Sequence, residues 1–158
     1  MSGRLQVGER MPKLLILGPS YRRNPSPEPL PAIERYDGLF YRMVRKYIDK
    51  LKEKDIDVII VTEDLDVVTP ETKLPYKPPV GESWKTLPLI EKDPEKVKLL
   101  RNQILELAKE REYEEIFVAL NKHYQTLLPD LTPYSRRIIA SFRGIGPKAQ
   151  ALKRWLLR

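Results

Sequence analysis

The sequence predicts an α/β protein: a three-layer α/β/α domain with a mainly parallel sheet and a C-terminal basic helical hairpin. Three short apolar runs have the composition of buried strands, and stretches with helical periodicity separate them along the chain. Because parallel neighbours need crossover connections, this alternation favours a parallel sheet covered by helices. The length of 158 residues is that of one domain, and an apolar fraction of 41% is sufficient for a core.

The predicted elements follow in the order strand, helix, strand, long loop, helix, strand and helical tail. The predicted strands are the continuous apolar runs at residues 13–18, 57–62 and 115–120. Between the first two, Asp37 is placed to cap a helix whose apolar side chains keep i, i+3/i+4 spacing as far as Leu51. Asp93 and Pro94 have the N-cap and first-turn preferences of a longer helix. Residues 63–92 lack any helical period and are predicted to form a functional or mobile loop.

Residue usage excludes several classes of protein. The chain has no cysteine, which excludes a disulfide scaffold, a thiol nucleophile and a cysteine-ligated zinc or iron–sulfur centre. His123 is the single histidine, so we expect no metal and no cofactor. No apolar run approaches the roughly 18 residues of a membrane-spanning helix, and residues 1–13 lack a secretory pattern, so we expect a cytoplasmic protein without a membrane partner. Fifteen prolines and many Lys/Glu pairs suit a heat-adapted chain.

Positive charge is concentrated at the two ends of the chain. We divide it into an N-terminal arm (residues 1–12), an α/β domain (13–130) and a basic hairpin packed on that domain (131–158). The net charge is +7, yet residues 24–130 carry 17 basic and 21 acidic residues. Residues 131–158 carry seven basic residues and no acidic one. Such a segment is either a solvated face or a surface for an anionic partner, with nucleic acid favoured and an acidic protein as the alternative.

The C-terminal segment has the pattern of two helices joined by a tight turn. Thr132 and Pro133 are placed to start the first helix, and Pro147 to start the second, after Gly144-Ile145-Gly146. This pattern resembles the helix-hairpin-helix motif of nucleic-acid-binding proteins, and the resemblance implies phosphate contacts by Gly144, Gly146 and Lys148. The alternative is an ordinary turn that packs a terminal helix, and the sequence leaves open whether residues 133–142 are helix or strand. The other predicted nucleic-acid-binding residues are Arg136, Arg137, Arg143, Lys153 and Arg154.

Candidate site residues follow the predicted strands, because open parallel sheets bind ligands outside the carboxyl ends of their strands. The catalytic candidates are Ser20, Asn24, Asp64 and His123, and the predicted pocket residues are Pro19, Ser20, Tyr21, Tyr76, Gly81 and Trp84. Ser20 would need His123 as its base, whereas an ordinary hydrogen-bonding role for His123 is the alternative. Glu63, Asp64 and Asp66 follow the second strand. Two of these carboxylates are candidates for an acid–base pair, or the group is a candidate magnesium site, and the alternative is a solvated acidic cluster. The chain has neither a Walker nor a dinucleotide-binding fingerprint.

Residues 13–128 resemble the small α/β domain associated with archaeosine synthases, archaeal enzymes that modify a deazaguanine base in transfer RNA. The stretches that carry this resemblance are residues 14–20 (LLILGPS), 61–71 (VTEDLDVVTPE) and 76–84 (YKPPVGESW). A weaker similarity, through residues 31–40 and the terminal Gly-Ile-Gly, extends to the uncharacterised proteins grouped with the YaaA-like family. The resemblance implies a fold like that of uracil-DNA glycosylases and a role in RNA modification in an archaeal cell.

The chain departs from the archaeosine synthase signature at its reactive residues. Ser20 stands for the family's cysteine, Asn24 for its lysine and Ser26 for its tyrosine. An amide cannot replace an amine as nucleophile or proton carrier, so the family's reaction is not expected here. We therefore expect an RNA-binding protein or an accessory component of tRNA modification. The alternatives are an enzyme on a glycosylase-like scaffold that acts on a nucleobase or nucleotide, and a protein-interaction module.

Overall fold

A computed structural model describes residues 11–78, 93–140 and 144–158 of the chain. Most of the predicted N-terminal arm therefore lies outside the described residues. The strands are β1 (Lys13–Leu17), β2 (Leu30–Pro31), β3 (Ile56–Val61), β4 (Val67–Val68), β5 (Lys73–Leu74), β6 (Tyr113–Ala119) and β7 (Ser135–Ile139). The helices are α1 (Ala32–Arg35), α2 (Leu39–Lys46), α3 (Ile48–Glu53), α4 (Pro94–Arg111), α5 (Lys122–Gln125) and α6 (Ile145–Leu157). Among these helices, none combines the length and the apolar character that crossing a membrane requires.

Five strands form one sheet in the order β4-β3-β1-β6-β7, and β2 pairs with β5 outside it. The β3, β1, β6 and β7 strands are parallel neighbours, and β4 runs antiparallel to β3 at one edge. In the central strand, Ile16 lies beside Ile59 and Val118. All four residues from Leu14 to Leu17 are fully buried, as expected for a strand covered on both faces. The predicted α/β fold with a mainly parallel sheet is confirmed.

Helices cover both faces of the sheet and divide the core into two clusters. Leu14 and Ile16 point to the face covered by α4, which buries Val97, Leu100, Ile104 and Ala108. Leu15 and Leu17 point to the other face, where α2, α3 and α6 contribute Val44, Leu51, Leu152, Trp155 and Leu156. The alternation of adjacent strand residues between the two clusters produces the three layers.

Of the two helix starts predicted from an aspartate cap, the structure confirms one. The Asp93 side chain accepts a hydrogen bond from the Lys96 amide at 3.1 Å, with Pro94 in the first turn of α4. Asp37 is not a cap, because Gly38 occupies the N-cap position of α2 and the Asp37 carboxylate binds arginine side chains instead. The continuous helix predicted to Leu51 is also interrupted: α2 ends at Lys46 and α3 begins at Ile48.

The predicted C-terminal helical hairpin is wrong, because its first element is a strand. Residues 135–139 form β7, which pairs in parallel with β6, and only a short 3₁₀ turn covers Thr132–Tyr134. Ile138 packs into the cluster on the α4 side and Ile139 into the cluster on the α6 side. Two adjacent β-branched residues thus cover opposite faces of the sheet at its edge strand. Adjacent residues of a strand point to opposite faces, whereas adjacent residues of a helix do not. Phe142 and Arg143 lie outside the described residues.

Candidate functional site

A cleft of about 170 Å³ opens beside the carboxyl end of β3. Parallel sheets place the loops that leave their strands at this edge, and the β1 loop and the β3 loop both contribute residues to the cleft. The described residues that line it are Arg23, Arg35, Tyr36, Thr62, Glu63, Asp64, Asp66, Val68, Leu74, Pro75 and Lys77. At about 30 Å³ per water, this volume accommodates a small polar molecule rather than a drug-sized one.

Glu63 lies at the centre of the charged groups in the cleft. Arg23 Nη1 donates to Glu63 Oε1, and the Tyr36 hydroxyl donates to Glu63 Oε2. The Arg23 guanidinium also lies 5.3 Å from the centroid of the Tyr36 ring. Burial, followed by the hydrogen bond to Glu63, raises the pKa of Tyr36 well above its ordinary value. Glu63 is therefore held by two donors in a fixed orientation.

One donor beside Glu63 has no acceptor among the described residues. Arg23 uses Nε on the Ser20 carbonyl and Nη1 on Glu63 and the Lys77 carbonyl, which leaves Nη2 without a partner in the described part of the chain. Tyr124 is only 5% exposed and is not among the described residues that line the cleft. Burial, followed by the charge of Glu63, raises the pKa of Tyr124 to about 12. The hydroxyl therefore keeps its proton at neutral pH.

The remaining carboxylates of the cleft are paired with lysines. Lys77 Nζ donates to Asp64 Oδ2 at 2.5 Å, and this hydrogen bond raises the pKa of Lys77. Lys96 Nζ donates to Asp66 Oδ1 at 2.6 Å. Glu63, Asp64 and Asp66 thus each have a different cationic partner. Within residues 11–78, 93–140 and 144–158, no group of three or more histidine or acidic side chains is arranged to hold a metal ion.

Arg35 anchors the loop that follows β1, although only 1% of the residue is exposed. Its guanidinium donates five hydrogen bonds to four main-chain carbonyls: those of Asn24 at 2.7 Å, Ser26 at 2.9 Å, Glu28 at 2.5 Å and Leu74 at 3.1 and 3.3 Å. These bonds use all five N–H groups of the side chain. Arg35 therefore links the proline-rich loop to β5 and holds one wall of the cleft.

The four catalytic candidates do not converge. Asp64 lines the cleft, whereas Ser20, Asn24 and His123 are not among its described lining residues. The Ser20 hydroxyl donates to the Arg22 carbonyl at 2.9 Å, and the Asn24 side chain accepts from the Ser26 amide at 3.0 Å. Both side chains thus stabilise the local turn of the β1 loop. The Ser20 hydroxyl thus donates its proton to the main chain, and a Ser20–His123 pair stays a prediction.

The predicted pocket residues that the structure describes are sequence neighbours of residues that line the cleft, but they do not line it themselves. Pro19 and Ser20 follow β1 directly, Tyr21 is 65% exposed, and the Tyr76 ring stands over the Arg35 guanidinium at 5.6 Å. Gly81 and Trp84 lie outside the described residues. The same two loops instead place Arg23, Pro75 and Lys77 in the cleft.

The predicted nucleic-acid contacts have two different outcomes. Arg136, Arg137, Lys153 and Arg154 are exposed, and no atom lies within 4 Å of the position that a Cβ would occupy at Gly144 or Gly146. Lys148 is only 5% exposed, and its Nζ donates to the Leu120 carbonyl at 2.5 Å. Burial lowers the pKa of Lys148. The predicted Lys148–phosphate contact is therefore wrong, because this ammonium group ties α6 to the end of β6.

Glu115 is the carboxylate that the C-terminal basic residues share. Arg137 and Arg158 each approach it at 3.5 Å, Lys13 lies at 3.7 Å, and the buried Trp155 indole N–H donates to it at 2.9 Å. Glu115 lies near the amino end of β6, whereas Lys148 contacts Leu120 after its carboxyl end. The helix α6 therefore runs from the carboxyl end of β6 to its amino end. The exposed cations of α6, Lys153 and Arg154, lie in its C-terminal half, and Arg158 follows at its end.

The residues that sequence reasoning missed owe their positions to long-range contacts. Arg23 and Glu63 are not among them, because both follow strands and were candidates for that reason. Arg35 ends the short helix α1 and Tyr36 follows it, and neither position carries such a signal. Tyr36 approaches Glu63 only because α1 packs beside the end of β3. Arg35 binds carbonyls up to 39 residues away in the chain.

We compared the chain with protein-family models, with curated proteins and with solved structures. No protein-family model matches the chain, no curated protein is significantly similar to it, and no solved structure is significantly similar to it.

Proposed function

We propose that this protein binds RNA through the exposed basic surface of its C-terminal segment and serves as a binding or accessory component of RNA modification. One observation carries the proposal: the cationic side chains of an acid-free segment are exposed on β7 and α6. The choice of RNA follows the resemblance to the domain associated with archaeosine synthases.

The charge of this surface is poorly neutralised by the protein itself. Exposed Arg136, Arg137, Lys153 and Arg154 are joined by Arg158 at the end of the chain. In the described part of the chain, the ion pairs of these five residues are those of Arg137 and Arg158 with Glu115. Cations without nearby carboxylates attract phosphate groups, and the counterions that phosphates release strengthen the binding.

The start of α6 supports the same function. Gly144 and Gly146 have open space where a side chain would extend, so internal packing does not require a glycine at either position. Bare main-chain amides at the beginning of a 13-residue helix offer donors to a phosphate oxygen. This contact needs no help from the buried Lys148.

The test is a titration of transfer RNA and duplex DNA with the full chain across monovalent salt. Each phosphate contact contributes about 0.7–0.9 to the log–log salt slope, and the lower value, which applies to single-stranded nucleic acid, corresponds to about fivefold in affinity at about 0.1 M salt. We expect Arg136→Gln/Arg137→Gln and Lys153→Gln/Arg154→Gln each to lower the slope and to raise Kd by up to about 25-fold. Lys98→Gln/Lys109→Gln is the matched control for the α6 variant, because it removes two exposed charges from α4 on the other face of the sheet. It does not serve as a control for Arg136, which shares the α4 face with Ile138, and Lys109 approaches the Tyr134 ring at 6.0 Å.

Three results contradict the proposal. They are an absence of binding even at low salt, an equal loss of affinity in the α4 control, and a preference for duplex DNA over transfer RNA. The first refutes nucleic-acid binding, the second refutes the location, and the third refutes the choice of RNA.

The cleft supports a second candidate function, the binding or conversion of a nucleobase or nucleotide. The observation that favours it is the Arg23 guanidinium, whose Nη2 is unused within the described residues, beside the oriented Glu63 carboxylate in the cleft. Nucleosides and nucleotides added at millimolar concentration should shift the NMR resonances of Thr62 and Lys77. Glu63→Gln should weaken this response, and Asp49→Asn, an exposed change on α3, should leave it intact. Unchanged resonances at about 10 mM ligand would refute this candidate.

A further inference from the structure

Three arginines surround a single carboxylate at the start of α2. Asp37 is approached by Arg22 at 3.6 Å and by Arg42 at 3.3 Å, and Arg45 donates to its other oxygen. The hydrogen bonds from Arg42 and Arg45 lower the pKa of Asp37, so this carboxylate is ionised at neutral pH. One negative charge against three positive charges leaves a local excess of two.

The three arginines have different roles. Arg45 also donates to the carbonyls of Ile33 at 2.7 Å and Tyr36 at 3.0 Å, which fixes it as a structural link. Arg22 and Arg42 bind only Asp37 within the described residues, and their side chains are 68% and 46% exposed. Their guanidinium groups therefore retain N–H donors that face solvent.

The two exposed arginines are held close enough to share one anion. Arg22 Nε and Arg42 Nη2 both contact Asp37 Oδ2, so these nitrogens are at most about 7 Å apart. Like charges at this separation repel each other, and an incoming oxyanion relieves that repulsion. Guanidinium groups bind phosphate by paired N–H donors at about 2.7–2.9 Å, so one phosphate can span both side chains.

An exposed aromatic residue adjoins Arg22 in the chain. Tyr21 precedes Arg22 and is 65% exposed. The loop that carries both is well ordered by hydrogen bonds, because the Arg22 carbonyl accepts from the Ser20 hydroxyl and from the Asp37 amide, each at 2.9 Å. Gly38 keeps this contact close, since a Cβ there would lie 2.4 Å from the Ser20 oxygen. An exposed aromatic on a rigid loop next to two arginines combines the two elements that bind unpaired nucleotides.

We propose that Tyr21, Arg22 and Arg42 form a nucleotide-binding patch for single-stranded RNA. An unpaired base stacks on Tyr21, and the adjacent phosphate lies between the two guanidinium groups. The α2 helix that carries Arg42 packs beside α6 on the same face of the sheet, so the patch and the exposed cations of α6 belong to the same side of the protein. The inference rests on the proposed function and adds to it a binding site for unpaired nucleotides.

The experiment compares a single-stranded RNA of about 12 nucleotides with a fully paired RNA duplex, by fluorescence anisotropy of the full chain. Tyr21→Ala should raise Kd for the single strand by about 5- to 150-fold, the usual range for loss of base–aromatic stacking. The same variant should leave duplex binding within twofold, because paired bases are already stacked. Arg22→Gln/Arg42→Gln should raise Kd for both RNAs by up to about 25-fold at about 0.1 M salt and lower the salt slope by about 1.4.

The controls separate this inference from the proposed function. Lys98→Gln/Lys109→Gln removes the same charge from the other face of the sheet, and circular dichroism checks that each variant is folded. The exposed ring of Tyr21 makes its variant interpretable even if the arginine variant unfolds. If the C-terminal variants lose affinity while the Tyr21 and arginine variants do not, the patch is refuted and the proposed function stands. If the unmodified chain binds neither RNA at low salt, both are refuted.

Discussion

Replacing Arg35 tests whether one buried side chain holds the wall of the cleft. Arg35→Met keeps most of the apolar stem of the side chain and removes the five N–H donors that bind the carbonyls of Asn24, Ser26, Glu28 and Leu74. The substitution therefore deletes the link between the proline-rich loop and β5 without opening a large cavity.

The magnitude follows from the acceptors that lose their partner. A carbonyl left without a hydrogen bond costs about 1–3 kcal/mol when it is buried. Asn24 and Glu28 are exposed, so water reaches their main chain and the lower end of the range applies. Four such acceptors give a loss of about 4 kcal/mol in the free energy of unfolding, or about 8–16 °C in Tm for a chain of this size. Arg35→Lys keeps the charge but has three donors at most, so we expect about half of this loss.

Urea unfolding followed by circular dichroism measures the loss, and amide hydrogen exchange locates it. Exchange should accelerate at residues 24–28 before it does so in β1 or β3. Arg42→Met is the matched control, because Arg42 is an exposed arginine whose ion pair with Asp37 is worth at most about 1 kcal/mol. A loss below about 1 kcal/mol for Arg35→Met, or unchanged exchange at residues 24–28, would refute the anchoring role.

Two further predictions concern single ionisable side chains. Lys148→Met should leave Kd for transfer RNA within about twofold in salt titrations, because the ammonium group contacts the Leu120 carbonyl and not solvent; a loss above about fivefold would restore Lys148 as a phosphate contact. Asp37 has a lowered pKa in the folded chain, so its ion pairs stabilise the fold above the unfolded-state pKa of 3.8 and are lost as pH falls through the folded value. The difference in unfolding free energy between the parent chain and Asp37→Asn should therefore shrink from about pH 5 to about pH 2 in urea titrations. A difference that stays constant over this range would show that Asp37 is not perturbed.

The local sequence pattern was sufficient to predict elements that are buried on both faces or that are capped by residues close in the chain. The run Leu14–Leu17 is buried on both faces, so its apolar side chains alone indicate a parallel strand. The start of α4 follows from Asp93 and Pro94, because a cap is formed by residues only three positions apart. The exposed positions of Arg136 and Lys153 also agree with the expectation of a basic surface at the C-terminal end.

The C-terminal strand shows where local pattern was insufficient. The spacing of Tyr134 and Ile138 fits a helix, but the free edge of β6 offers hydrogen bonds to an extended chain, and Ile138 and Ile139 then cover both faces of that edge. Pairing with β6, whose residues lie 22 positions earlier in the chain, makes residues 135–139 a strand. The conformational propensities of residues 133–142 alone do not predict this pairing.

Charge and composition belong to the chain itself: the absence of cysteine, the acid-free C-terminal segment and the apolar runs that become strands are all independent of how it folds. The partners of its ionisable groups depend on the tertiary structure. Lys148 and Lys153 have the same side chain, yet one is buried against the Leu120 carbonyl and the other is exposed. Arg35 and Arg42 differ in the same way, as anchor and as surface cation. The reason is physical: a side chain's propensity acts over a few neighbours, whereas burial and hydrogen-bond partners are assigned by segments that meet only in the folded chain.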